Sequence, residues 1–280
     1  MSSRPPAEVQ DHRYSTAPRR GYQLEIRTLT GDDIGTRIER RGLPYEWEEL
    51  AISNAIAMRS RLVVDIGANV GNHSLYWARH SGVNVVSFEP KGEALELLDL
   101  NIGRNHLFSR ITMHPVALGA EAGRGRLHVT AGNLGASHVE VAIGSAPSTE
   151  HDVEIKCLDS FYLHGIGLLK IDVEGMELEV LRGSKATLRR EQPVVWVELL
   201  SIEADQLVRM TLAELGYWRR PLWMSETNAL FVRNWAQVAA LVRSPLALRL
   251  LAKRAIGHSV RSLRRRVRRA LISPLGDVSN

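Results

Sequence analysis

From residue 61 onward, the hydrophobic pattern alternates between short apolar runs and longer segments with helical spacing. The apolar runs predict β-strands near residues 61–66, 83–89, 111–117, 166–172, 193–199 and 228–233. The segments with helical spacing predict helices near residues 71–80, 91–104, 175–190 and 204–215. This alternation predicts an α/β fold in which a mostly parallel sheet carries helices on both faces.

A long segment, residues 118–160, interrupts the alternation after the third strand. It is rich in Gly and Ser and contains alternating pieces near 125–130 and 153–158, which together predict a β-hairpin insertion. Its tip, residues 132–147, holds few apolar side chains. Loops of this kind at the rim of a sheet either contact the substrate or are merely mobile, and the sequence leaves both readings open.

The residues before the first predicted strand divide into two parts. Residues 1–21 are rich in Pro, Ser and Arg and have no apolar period, so a disordered tail is predicted. Residues 22–60 are predicted to form an N-terminal helical cap, because Pro44 and the acids after it favour a helix start. The apolar face of that helix, which includes Leu50, predicts either packing on the core or a lid over a bound substrate. The main domain is expected over residues 61–235.

The net charge of +5 is unevenly distributed. Residues 243–280 contain ten Lys or Arg and one acid, which gives this segment +9 and leaves −4 on residues 1–242. A helical stripe of Ile, Val and Leu runs through residues 256–271, and six arginines occupy residues 261–269. A basic amphipathic tail is therefore predicted over 236–280. Residues 243–271 could bind an anionic membrane or another polyanion, or dock on the acidic core. Sequence-specific nucleic-acid binding is not expected.

Length and composition bound the remaining possibilities. A chain of 280 residues can hold one large α/β domain, and 44% hydrophobic with 24% charged residues is typical of a soluble protein. The longest apolar runs are too short to span a bilayer. Because the N-terminus lacks the apolar core of a secretory signal and Cys157 is the single cysteine, a cytoplasmic location is expected.

Two carboxylates flank one glycine loop. The first predicted strand contains Asp65, followed at once by Gly67 and Gly71, and the next predicted strand ends at Glu89. The loop lacks the three-glycine spacing of a dinucleotide fingerprint, and no Gly-Lys-Ser or Gly-Lys-Thr follows it. A ligand with a ribose but no pyrophosphate therefore fits best.

S-adenosylmethionine has the chemical groups that these residues could bind. Glu89 is placed to accept hydrogen bonds from both ribose hydroxyls. Asp65 could face the ammonium group directly or through water, and the backbone amides of residues 67–72 could face the carboxylate. Alternatively, Asp65 only caps the glycine loop and Glu89 only caps the next helix.

A second charged cluster follows the predicted strand 166–172. Lys170, Asp172, Glu174 and Glu177 occupy eight residues, so at least two of them must leave the strand and face the cleft. Asp172 or Glu174 is the candidate general base, and Lys170 could hold a substrate oxygen or lower the pKa of the acid. Alternatively, Lys170 forms an internal ion pair with Glu198. The ten histidines, His73 among them, lack metal-ligand spacing, so no metal site is predicted.

The chain resembles the FkbM-type methyltransferases over roughly residues 40–233. The resemblance is carried by Val64–Asn72, Phe88–Pro90, Leu158–Ser160, Leu169–Glu177, Val180–Gly183 and Val197–Glu198. The first of these motifs is shared by many class I methyltransferases. The Lys-Ile-Asp-Val-Glu-Gly block at 170–175 is the discriminating one.

The resemblance implies a Rossmann-like class I methyltransferase fold with a seven-stranded sheet whose final strand, near 229–232, is antiparallel. It implies S-adenosylmethionine as cofactor and methyl transfer to oxygen of a saccharide, glycolipid or secondary metabolite. The candidate catalytic residues are Lys170, Asp172 and Glu174. The candidate cofactor-binding residues are Asp65, Gly67, Asn69, Gly71, Asn72, Glu89, Pro90, Val116 and Ala117, the last two where the adenine would lie in this fold.

Two other functions remain open. The chain could be a binding module that keeps the fold and uses its tail and the 118–160 loops to recruit a partner. An oxidoreductase that uses a nicotinamide cofactor is disfavoured by the glycine spacing.

Overall fold

The computed structural model describes residues 8–18, 21–90, 92–128, 138–141, 152–218 and 221–254. The strands are β1 Val9–Ser15, β2 Gln23–Leu29, β3 Leu62–Ile66, β4 Asn84–Phe88, β5 Ile111–His114, β6 Ala117–Leu118, β7 Gly123–His128, β8 His138–Val141, β9 Asp152–Lys156, β10 Ile166–Ile171, β11 Val194–Glu198, β12 Leu222–Trp223 and β13 Asn228–Phe231. The α-helices are α1 Asp33–Arg41, α2 Trp47–Ala57, α3 Asn72–Tyr76, α4 Glu93–Arg104, α5 Glu177–Arg182, α6 Lys185–Glu191, α7 Ile202–Glu214 and α8 Trp235–Val242. A π-helical turn, Trp77–Ser81, continues α3, and a 3-10 turn spans Leu158–Phe161.

Seven strands form the main sheet, in the order β12-β13-β11-β10-β3-β4-β5. The pairs from β11 to β5 are parallel, whereas β13 is antiparallel to β11 and β12 is antiparallel to β13. The predicted Rossmann-like sheet is therefore confirmed. The chain moves from β3 through β4 to β5 on one side and later returns to β10 and β11 on the other. In open α/β sheets, ligands bind at such a reversal, which here lies between β3 and β10.

The sheet is buried on both faces because successive residues of a strand point to opposite sides. Val63 of β3 belongs to the hydrophobic core that α2, α3 and α4 cover. Val64, the next residue, belongs to the core that α5 and α7 cover. Leu50 of α2 is fully buried in the first of these cores, so α2 packs on the sheet rather than forming a lid.

The predicted disorder of residues 1–21 is wrong for residues 9–15, which form β1. This strand pairs antiparallel with β2, and its alternate side chains His12 and Tyr14 are buried. Two asparagines bind the backbone of β2, since Asn101 Oδ1 of α4 accepts from the Arg27 amide at 2.7 Å and Oδ1 of Asn105, just after α4, accepts from the Glu25 amide at 3.0 Å. The predicted helical cap over 22–60 therefore also contains a strand. Local composition misses it because distant contacts hold it.

The 118–160 segment contains part of a second, four-stranded sheet in the order β6-β9-β7-β8. Strands β7 and β8 pair antiparallel, as expected for a hairpin insertion. Most of the predicted tip, residues 132–147, lies outside the described residues. Leu127 and Val139 pack against Val153 and Ile155 and give the insertion its own small apolar cluster.

The predicted tail from residue 236 onward begins as part of the folded domain. Leu241 of α8 and Ala247 and Leu250 of the helical segment 245–254 are buried in the first core. Lys253 and Arg254 pair with Glu48 of α2, the lysine at 3.0 Å. The predicted basic stripe, residues 256–271, lies outside the described residues. Within the described ranges, no helix combines the length and apolar character needed to cross a membrane.

Candidate active site

A cavity of about 250 Å³ opens at the carboxyl ends of β3, β4, β10 and β11. The loops that follow these strands form its floor. Residues 32–34, Tyr45 and Glu46 form one wall, and Leu127 and Val139 of the insertion form another. We call the part around residues 67–72 and Glu89 the glycine-loop end. The part around Lys170, Asp172, Glu174 and Glu198 is the acidic end.

Gly67 is required at its position by a close approach of two loops. Its φ is +75°, and a Cβ there would lie 1.7 Å from the carbonyl oxygen of Asp172. Only glycine accepts this conformation and this approach without strain. Gly71 has φ +93° and packs beside Leu98, but it does not line the cavity. Its observed role is to turn the chain into α3, and its contact with a cofactor stays a prediction.

The backbone amides of the glycine loop are largely used inside the protein. Those of Gly67 and Ala68 donate to the Phe88 carbonyl at 3.0 and 3.1 Å, and that of Gly71 donates to Ala68. The amide of Asn69 donates to Glu89 Oε2 at 2.8 Å. These four amides already have acceptors in the protein, and their contact with a ligand carboxylate stays a prediction. The loop folds back on the end of β4, so these amides donate to acceptors within the protein.

Glu89 lies where the sequence places it, at the end of β4, and lines the cavity. Burial raises the pKa of its carboxyl to about 7, against the lowering effect of the Asn69 amide. Asn69 has a left-handed backbone, φ +50°, and its Oδ1 is buried with no hydrogen-bond partner within the described residues. This end of the cavity therefore presents a carboxylate and a free amide oxygen that a ligand donor can satisfy.

Asp65 does not line the cavity, so this arrangement offers it no direct contact with a ligand ammonium, and a contact through water stays a prediction. Its side chain is fully buried beneath the loop, where Oδ2 accepts from Ser74 at 2.6 Å. Its Oδ1 lies 3.6 Å from Lys170 Nζ. The cavity is lined instead by the next two residues along the chain, Ile66 and Gly67. Asp65 instead supplies a buried negative charge that holds Lys170.

Lys170 connects the two strands at the centre of the site. Its ammonium is buried, donates to Asp172 Oδ2 at 3.0 Å, and lies between Asp172 and Asp65. Burial alone would lower its pKa, but these two carboxylates raise it. The alternative ion pair of Lys170 with Glu198 is not formed. Lys170 is therefore a fixed positive charge at the edge of the cavity.

Asp172 and Glu198 form a carboxyl pair at the acidic end. Burial would raise the pKa of Asp172, but the neighbouring Lys170 ammonium holds it below its ordinary value. Burial and the neighbouring Asp172 raise the pKa of Glu198 to about 9. Sequence reasoning named Glu198 only as a possible partner of Lys170, so its place in this pair was missed.

Glu174 and Glu177, both predicted to be near the cleft, take different roles. Glu177 is buried and accepts from the Gly175 amide at 2.9 Å, so it holds the loop rather than facing the cavity. Glu174 lines the cavity with a left-handed backbone, φ +53°. Burial and the charges of Asp172 and Glu177 raise its pKa to about 7. It makes no hydrogen bond or ion pair with any residue of the described ranges.

Three further residues predicted to contact the cofactor line the glycine-loop end, namely Pro90, Val116 and Ala117. Their contact with a cofactor stays a prediction. Asn72 also lines the cavity, but its side chain is committed to the backbone of Tyr45, accepting at 3.0 Å and donating at 3.0 Å.

Sequence reasoning missed the wall that Tyr45 and Glu46 form. Glu46 has a left-handed backbone, φ +53°, and its two carboxylate oxygens bind His73 Nε2 at 2.9 Å and Asn228 Nδ2 at 2.8 Å. Asn228 in turn accepts from the Trp196 indole at 2.5 Å. This network ties the segment before α2 to the ends of β11 and β13. No local signal marks Glu46, because its partners lie 27 and 182 residues away.

Oxygens of Asp172, Glu174 and Glu198 lie within 4.8 Å of one another. Such a set attracts a cation, and the ammonium of Lys170 already supplies one to Asp172. The expectation that no metal is bound stays a prediction.

Comparisons with known proteins identify a family for the chain. The Methyltransferase FkbM domain matches residues 65–218. Methyltransferase sdnD of Sordaria araneosa is 30% identical over 155 residues, which is 43% of this chain and 59% of that protein. The chain thus spans less than two thirds of the length of this relative.

Solved structures are similar at lower identity. Methyltransferase FkbM from Methylobacillus flagellatus KT is 19% identical, with a TM-score of 0.45, over 61% of this chain and 43% of its own. The SAH-bound methyltransferase PaMTH1 of Podospora anserina is 10% identical, with a TM-score of 0.41, over 67% of this chain and 77% of its own.

The parallel sheet with its antiparallel edge, together with a glycine loop and an acid at the next strand end, defines the class I methyltransferase fold. Because the family match covers more than half of the sequence, the assignment can be narrower. The chain belongs to the FkbM methyltransferase family.

Proposed function

We propose that the protein is an S-adenosylmethionine-dependent methyltransferase that methylates a hydroxyl of a saccharide, glycolipid or secondary metabolite. The observation that carries this proposal is one continuous cavity with Glu89 at one end and Lys170, Asp172 and Glu174 at the other. The family membership supports methyl transfer. The choice of oxygen and the class of acceptor rest on the resemblance of the sequence motifs.

The residues of the glycine-loop end fit this cofactor. Glu89 would accept hydrogen bonds from the ribose hydroxyls, and the free Oδ1 of Asn69 would accept one from a ligand donor such as the ammonium group. Val116 and Ala117 offer apolar contact for the adenine. When bound, S-adenosylmethionine supplies a methyl group already activated on a sulfonium.

The protein then has to align the acceptor and remove its proton. Asp172 is a weak base, because Lys170 and Glu198 both stabilise its ionised form. Glu174 is the better candidate, since it lines the cavity without a partner in the described residues and has a pKa of about 7. A general base works best when its pKa lies near the operating pH. The structure therefore favours Glu174 between the two predicted bases.

Two experiments test the proposal. Titration calorimetry with S-adenosylmethionine and with S-adenosylhomocysteine should give saturable heat with the folded protein. Mass spectrometry of a cell extract incubated with the enzyme and a deuterated-methyl donor should then reveal a labelled hydroxyl compound. Absence of heat from well-folded protein would instead support a recruitment module that only keeps the fold. A label on nitrogen or carbon would contradict O-methylation while leaving the methyltransferase intact.

A further inference from the structure

We propose that Glu198 is a positioning residue that works as a neutral carboxylic acid. In this role its proton bridges to Asp172 and fixes the Asp172 carboxylate beside Lys170. Glu174 is thereby left as the group that takes the acceptor's proton. The inference rests on the proposed function for its catalytic meaning, although the protonation of Glu198 can be measured independently.

The sheet register brings the two carboxyl groups together. Ile171 of β10 lies opposite Val197 of β11, so Asp172 and Glu198 are the next residues along two neighbouring parallel strands. Both side chains line the cavity, and a carboxyl oxygen of Asp172 lies within 4.8 Å of one of Glu198. Because an ionised carboxylate only accepts, a hydrogen bond between two carboxyl groups requires one proton.

The charges around the pair place that proton on Glu198. The Lys170 ammonium donates to Asp172 Oδ2 at 3.0 Å, which favours the ionised form of Asp172. Glu198 has no cation within hydrogen-bond distance among the described residues, and its Oε1 accepts only from the Thr227 hydroxyl at 3.0 Å. The other charged groups that face it are carboxylates, Glu46 from the segment before α2 and Glu174 from the loop after β10. The raised pKa of Glu198, about 9, agrees with this geometry.

This arrangement determines where each proton goes during the reaction. As the acceptor oxygen forms its bond to the methyl carbon and the carbon–sulfur bond breaks, the hydroxyl proton passes to the Glu174 carboxylate. The sulfur keeps the electron pair of the broken bond. The Glu198 proton stays between Glu198 and Asp172 throughout. Without it, Asp172 and Glu198 would repel each other, and Asp172 would lose the contact that holds it toward Lys170.

Infrared spectroscopy of the full chain tests the protonation directly. A protonated carboxyl gives a C=O stretch distinct from that of a carboxylate. At about pH 8, Glu49, Glu89 and Glu174 are mostly ionised, because their pKa values are about 7, whereas Glu198 is still protonated. We expect a band of one carboxylic acid in the wild type that disappears as the pH rises through about 9.

Three variants assign the band. Glu198→Gln should remove it, and Asp172→Asn should shift its titration to lower pH, because the Asp172 charge is one of the causes that raise the pKa of Glu198. The matched control is Glu203→Gln, the same substitution at an exposed site on α7, and it should leave the band intact. A band that survives Glu198→Gln, or that titrates at pH 7 or below in the wild type, would overturn the proposal. The wild-type titration decides the matter even if a variant fails to fold.

Binding and turnover separate this inference from the proposed function. S-adenosylhomocysteine calorimetry on the wild type tests cofactor binding alone, so its failure would leave the infrared result standing. With an extract as the source of acceptor, Glu198→Gln should transfer at least about tenfold more label than Glu198→Ala, because the amide still donates to Asp172. Equal loss in both variants would contradict a donor role for Glu198.

Discussion

The two ends of the cavity hold their carboxylates in different ways. At the glycine-loop end, Glu89 is fixed by a backbone amide, that of Asn69, and the loop around it is closed by backbone hydrogen bonds. At the acidic end, Asp172 and Glu198 are fixed by other side chains, and Glu174 is held by none of the described residues. The first end is thus held by backbone hydrogen bonds. The second is a group of ionisable side chains whose oxygens lie within 4.8 Å of one another.

The largest loss of methyl transfer should come from changing Glu174, whose carboxylate has no partner among the described residues. Glu174→Gln removes the proposed base while keeping the size of the side chain. We expect methyl transfer to fall about 100-fold to 10,000-fold, the usual range for loss of a general base, with little change in cofactor affinity. Label transfer from a deuterated-methyl donor measures the first quantity and calorimetry the second. Loss of less than about tenfold in transfer would exclude Glu174 as the base.

A change at the glycine-loop end should alter the affinity for the cofactor rather than the rate of methyl transfer. Glu89→Ala should weaken S-adenosylhomocysteine binding by about 1.5–3 kcal/mol, the cost of losing hydrogen bonds to a charged group. Calorimetry checks this, with Glu96→Ala on the exposed side of α4 as the matched control. Unchanged affinity in Glu89→Ala would refute the ribose contact.

The glycine loop approaches the loop after β10 closely at Gly67, and a single added methyl group tests this contact. Gly67→Ala would place a methyl group against the Asp172 carbonyl and strain a backbone at φ +75°. We expect a loss of about 1–3 kcal/mol in the free energy of unfolding, measured by denaturant titration. Gly42→Ala is the matched control, since it has φ +61° but no atom within 4 Å of the added Cβ. Equal destabilisation of both variants would show that the backbone angle, not the contact, matters.

The smallest effect is the pH dependence of stability. Glu198 has a pKa of about 9 in the folded protein, above its ordinary 4.5, so the folded state binds a proton that the unfolded state releases. Its contribution therefore makes the protein less stable as pH rises from about 5 to 9. The slope of Tm against pH should become less negative in Glu198→Gln. A slope identical to that of the wild type would argue against the raised pKa.

The sequence alone predicted the features that depend on neighbouring residues along the chain. The alternation of apolar runs and helical segments predicted the sheet, and the strand ends at Glu89 and Asp172 predicted where the cavity lies. Burial was harder to foresee, since Asp65 sits one position too early on β3 to reach the cavity.

The parts that depend on distant partners were missed. Strand β1 is ordered by its pairing with β2, and β2 is held by Asn101 of α4 and by Asn105 just after it, so the polar N-terminal composition gave no sign of β1. Glu198 acts through Asp172, which is adjacent only because β10 and β11 pair in that register. Sequence patterns report which residues could be charged neighbours, but the sheet decides which ones share a proton.

A crystal structure of the protein with S-adenosylhomocysteine tests the central claim most directly. The account predicts both ribose hydroxyls within hydrogen-bond distance of the Glu89 carboxylate and the sulfur directed toward Glu174 and Asp172. A ligand bound outside this cavity, or one whose ribose avoids Glu89, would contradict it.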